Sequence, residues 1–136
     1  MTNCVVMAAY HRRMSVAINS LTVDSHEPRA VASFWSEALG WPILFDSEDE
    51  VMIAPFEERK PGVFPVLFLR NPDDKQVKNR WHFDLAPDDQ SAEVARLEGL
   101  GATRADIGQG EVEWVVMADI EGNEFCVLRS LPKEET

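Results

Sequence analysis

Apolar and polar residues alternate along residues 15–24, a stretch rich in Val, Ile and Thr, and this predicts a β-strand. His26-Glu27-Pro28 then opens a helix, with Pro28 suited to a first helical position that needs no N–H. Val31, Phe34, Trp35 and Ala38 follow at i, i+3, i+4 and i+7, one apolar stripe, and Gly40 supplies a left-handed stop. Three short strands are predicted at 41–45, 51–54 and 64–70, separated by an acidic turn at 46–50 and a loop at 57–62. After Asn71-Pro72-Asp73-Asp74 the same order returns. A strand at 80–86 leads into a helix opened by Pro87-Asp88-Asp89, with acidic residues at its positive end. Val94, Leu97 and Leu100 point inward, Glu93 and Arg96 can pair outside, and Gly101 ends the helix. Strands near 103–106, 112–118 and 124–129 complete the pattern, with turns at 108–110 and 121–123.

The order is β-α-β-β-β twice over. Each helix ends in Leu-Gly, and Gly40 and Gly101 stand 61 positions apart. A repeat of that length exceeds solenoid periods. It predicts an α+β fold: two tandem βαβββ modules, about 15–71 and 78–130, forming a cup-shaped mixed sheet with helices outside. Each half alone buries little, so one domain over 14–132 with a cleft between or within the halves is expected. Residues 1–13 read as an N-terminal extension and 133–136 as an acidic tail.

Charge changes the picture by exclusion. The 136 residues carry 24 Asp and Glu against 13 Lys and Arg, a net charge of −11. Nucleic acid and anionic membranes demand basic patches, so neither is an expected partner. The acid clusters mostly fall in turns, helix surfaces and the tail, where they serve solubility. Only Asp84 and Glu124 have an alternation argument for facing the cup. The two cysteines, Cys4 and Cys126, have no CxxC spacing and no secretory leader before them. A cytoplasmic protein without a disulfide framework is therefore expected.

Four fragments resemble a known family. Residues 27–35 with Leu39-Gly40-Trp41 resemble the first helix of the glyoxalase/bleomycin-resistance/extradiol-dioxygenase superfamily, also called the vicinal oxygen chelate fold. Residues 78–85 resemble its fifth strand, 92–102 its second helix, and Asp119-Ile120-Glu121-Gly122-Asn123 the turn before its last strand. The wording is closest to the glyoxalase-like domain subgroup. The resemblance implies a small-molecule site inside the cup and a homodimer. In metalloenzyme members each module supplies two metal ligands, which here fall at Ser20, His82, Cys126 and a place within 67–70 that holds no carboxylate. Only His82 matches. A hard divalent ion wants several O or N donors, and a catalytic zinc keeps three protein ligands, so the implied set is incomplete for a divalent metal cofactor.

Alternation puts Arg80, His82 and Asp84 on one face of their strand and Trp81, Phe83 and Leu85 on the other, while Glu124 and Cys126 share a face. If both polar faces line the cup, His82, Cys126, Glu124 and Asp84 converge. His82 and Cys126 are the candidate catalytic pair, since a histidine can lower a thiol pKa and make a nucleophile. The plainer reading is a buried thiol acting as a small hydrophobe beside a satisfied histidine. Arg80 and Asp84 are either rim and dimer-contact charges or ligand contacts. Trp81 and Trp114 are either core or a stacking surface for a flat ligand, whereas Phe34 and Trp35 belong to the core. Ser20, Arg80, Trp81, His82, Asp84, Trp114, Glu124 and Cys126 are thus the candidate ligand-binding residues.

Three functions are compatible with these residues. The first is a pocket protein binding an apolar or aromatic small molecule without the full metal site. The second is a lyase, isomerase or dioxygenase-type enzyme in which His82 is base or ligand. The third is a dimerising module without small-molecule chemistry. The missing ligands argue against a lactoylglutathione lyase.

Overall fold

The computed structural model describes residues 15–58 and 60–130, so the predicted extension and tail lie outside the described residues. Its elements run β1 (Leu21–Ser25), α1 (Pro28–Leu39), β2 (Ile43–Asp46), β3 (Glu50–Ile53) and β4 (Val66–Arg70) in the first module. The second runs β5 (Asp84–Leu85), α2 (Gln90–Leu100), β6 (Thr103–Arg104), β7 (Val115–Ala118) and β8 (Glu124–Val127). The βαβββ order therefore occurs twice, as expected, in a mixed α+β architecture. Each module forms its own four-stranded sheet, β1-β4-β3-β2 and β5-β8-β7-β6, whose first and last strands run parallel.

The predicted first strand of each module is shorter in the structure. Residues 15–20 carry the alternating pattern but have no ladder partner, because β4 starts at Val66, opposite Leu21. Val16 and Ile18 remain exposed. Residues 80–83 likewise precede the ladder, which begins where Asp84 pairs with Cys126. The backbone just before them is held differently: the Asn79 N–H donates to both Glu124 carboxylate oxygens, 3.3 Å each.

Both helices start and stop where the residues dictate. Pro28 occupies the first turn of α1, and Asp89 caps α2 by accepting from the Ala92 N–H at 3.0 Å. Gly40 and Gly101 end them with φ of 69° and 115°, a region closed to most L side chains. Glu27, at the N-cap of α1, makes no side-chain cap. Instead Glu121, from the β7–β8 turn, accepts from the His26 N–H at 2.7 Å and the Ser25 hydroxyl at 2.5 Å. At the other end, Arg96 of α2 donates to the Glu37 and Ala38 carbonyls at 3.2 and 2.8 Å. Glu93 pairs with Arg96 as its spacing predicts. The first helix is thus tied at both ends to the second module.

A single apolar cluster joins the halves. Val31, Phe34 and Trp35 pack with Val51, Ile53, Val66 and Phe68 of their own sheet and with Leu97, Met117, Phe125 and Val127 of the other. Trp35 is its hinge, edge-on to Phe34, Phe83 and Phe125 at ring-centroid distances of 5.2, 5.4 and 4.9 Å. This core leaves the first strands of the two modules facing a shared hollow.

Candidate functional site

A cavity of about 890 Å³ lies between β1 with its preceding residues and the segment that leads into β5. Its apolar wall comes from Leu21, Val23, Phe64, Phe68, Phe83 and Phe125, and Trp81 stands at its edge. Its polar contribution comes from Asn71, Lys75, Asn79, His82, Asn123 and Glu124, with Asp24, Asp73 and Asp74 adding carboxylates. Of the residues expected from sequence, Ser20, Trp81, His82 and Glu124 line this space. Arg80, Asp84, Trp114 and Cys126 do not. Arg80 precedes the β5 ladder and faces solvent, and Trp114 sits just before β7, 43% exposed. Trp81 is 87% exposed, which removes the core role weighed for it. Ser20 shares a 3.3 Å hydrogen bond with the Thr22 hydroxyl.

Glu124 is 9% exposed, and its carboxylate is already committed. Lys75 donates to Oε1 at 2.5 Å, with the Asn79 N–H alongside. Burial pushes the Glu124 carboxyl up, but the Lys75 hydrogen bond, the Asn79 N–H and the Lys75 charge outweigh it and hold it below its ordinary range. The cation that Glu124 holds thus comes from the chain itself, Lys75. Nothing in sequence pointed to Lys75, 49 residues away in an irregular stretch.

His82, Asp84 and Cys126 do converge, each offering one donor atom within 4.8 Å of the others. His82 Nδ1 lies 3.1 Å from Asp84 Oδ1. The expected activation of the thiol by His82 is not what the environment favours. Burial, and then the neighbouring Asp84 carboxylate, push the Cys126 thiol up, so it stays protonated and a poor nucleophile. His82 is turned to Asp84 instead.

The family's four-ligand metal set fits these residues poorly. The first module brings the Ser20 hydroxyl, hydrogen-bonded to Thr22, and β4 carries no carboxylate. A hard ion would find too few oxygen donors here. The donors that do meet all belong to the second module.

Paired βαβββ modules around a shared hollow define a protein of the vicinal oxygen chelate class. A family model described as glyoxalase-like domain matches residues 20–128, and the chain belongs to that family. Solved structures share the fold at low identity. A glyoxalase/bleomycin resistance protein/dioxygenase family enzyme from Burkholderia phytofirmans superposes with a TM-score of 0.64 at 14% identity, covering 85% of this chain and 100% of that one. A fosfomycin resistance protein from Listeria monocytogenes, in complex with Mn(II) and a dihydroxypropylphosphonic acid, gives 0.60 at 14%, covering 87% and 93%. A bleomycin resistance determinant encoded on transposon Tn5 gives 0.53 at 15%, covering 86% and 100%. No curated protein matches the chain in sequence. Among the described residues, no helix is long and apolar enough to cross a membrane.

Proposed function

We propose that this glyoxalase-like protein binds a small molecule with an apolar, aromatic body in the cavity between its modules, without the family's four-ligand metal site. The cavity itself carries this reading: about 890 Å³ walled by Phe64, Phe68 and Phe83, with Asn71, Asn79 and His82 as polar anchors. That size and that mixture are typical of small-molecule sites. Trp81 supplies an exposed stacking surface at the edge. Thermal-shift screening of small aromatic and cationic compounds tests the proposal. A hit whose stabilisation disappears in both Trp81→Ala and Phe68→Ala supports it. Shifts untouched by these changes, or no hit at all, overturn it.

A second reading rests on His82, which lines the cavity and is oriented by Asp84 at 3.1 Å. A histidine held by a carboxylate suits a general base. A lyase, isomerase or dioxygenase-type activity would then be abolished by His82→Ala. Exposed Val16, Ile18, Val77 and Trp81 support a homodimer, which sedimentation tests. The acidic charge supports a protein that touches neither nucleic acid nor anionic membrane.

A further inference from the structure

We propose that His82, Asp84 and Cys126 form a three-donor site for a soft divalent cation, zinc by its chemistry, built wholly within the second module. The reading stands apart from the cavity's proposed ligand, whose binding does not require it. β5 and β8 run parallel, and Asp84 is directly opposite Cys126, so the two side chains leave the same face of neighbouring strands. His82 precedes Asp84 by two residues, and its ring nitrogen is already 3.1 Å from the carboxylate. The three donor atoms lie within 4.8 Å of one another.

The donor types decide the ion. One imidazole nitrogen, one carboxylate oxygen and one thiolate sulfur suit zinc, whereas magnesium and calcium take oxygen. Asp84 is the departure from the family arrangement: it supplies from the second module a donor that the first module lacks. Three protein ligands would leave one coordination position of a tetrahedral zinc unfilled. Binding exchanges the Cys126 thiol proton for the cation, and the proton leaves to solvent.

The test uses the full chain carrying Cys4→Ser, which leaves Cys126 as its single thiol. After chelator treatment it is titrated with Co²⁺ and then Zn²⁺. The expected result is one Co²⁺ per chain with a thiolate-to-cobalt absorption band, displaced by Zn²⁺. Cys126→Ser abolishes the band, and Asp84→Asn and His82→Gln each weaken binding by about tenfold or more. Zn²⁺ also slows alkylation of Cys126 in the chain with an unaltered site, a readout that survives if a variant misfolds. No thiolate band, alkylation indifferent to Zn²⁺, or affinity unchanged by Asp84→Asn overturns the proposal. Thermal shifts with small molecules are read separately, so either idea can fail alone.

Discussion

The indole Nε1 of Trp35 donates to Asp119 Oδ2 over 2.9 Å, tying the first helix to the last turn of the other module. Asp119 is itself the organiser of that turn. Its Oδ1 accepts from the Glu121 and Asn123 N–H groups at 2.9 and 3.0 Å. One buried carboxylate thus shapes the turn and fixes where the helix docks.

Trp35→Phe keeps an aromatic ring in the core but removes the donor and leaves a void. We expect a loss of about 2–4 kcal/mol in denaturant unfolding, from the cavity and the lost buried hydrogen bond together. An unchanged midpoint would show that the Trp35–Asp119 bond contributes nothing net.

Glu124 predicts an acid limb. Its carboxyl is held below its ordinary range, so its contribution to stability is present above the unfolded-state value and is lost as pH falls through the folded one. Stability should therefore decline below about pH 4. Glu124→Gln should flatten that decline, and Lys75→Met should move acid unfolding to higher pH. Lys75→Met should also speed hydrogen exchange at the Asn79 amide, because its acceptor loses the ammonium that holds it.

Glu121→Ala removes the acceptor for the His26 N–H and the Ser25 hydroxyl. The expected cost is about 1 kcal/mol, the usual value of a helix N-terminal cap. Amide exchange should accelerate first at the start of α1, a local signature that a general loss of packing would not produce.

The two helix-ending glycines separate backbone strain from crowding. An added Cβ at Gly40 meets nothing within 4 Å, whereas at Gly101 it lies 2.9 Å from Ile120 Cγ2 at a φ of +115°. Gly40→Ala should cost about 1 kcal/mol, and Gly101→Ala measurably more, in equilibrium unfolding. Equal costs would show that Ile120 moves aside freely.

Both helices were legible in the sequence because local residues specify them: the Val31–Phe34–Trp35 stripe, the Pro28 start, the Asp89 cap and the Gly40 and Gly101 stops. The site was only half legible. Alternation placed His82 and Asp84 on one face and Cys126 with Glu124 on another, but the register that sets Asp84 against Cys126 depends on residues 42 apart in sequence. Period two also overextended the strand into 80–83, because it reads side-chain direction and is blind to where a ladder runs out. Lys75 left no trace in any local pattern, since its meaning comes only from Glu124. Where Trp114 and Arg80 lie was not legible for a related reason: exposure of one strand end depends on which neighbouring chain segment covers it.

The reciprocal capping of the first helix carries a consequence for the repeat itself. Glu121 accepts from the N–H groups just before it and Arg96 donates to its closing carbonyls, both from the other half. Two copies of one unit have come to depend on each other: the first half holds this helix, and the second holds the Glu121 and Arg96 side chains that bond its two ends. Produced as two separate polypeptides split between the modules, they should be recovered folded only when mixed, as complementing fragments of one protein.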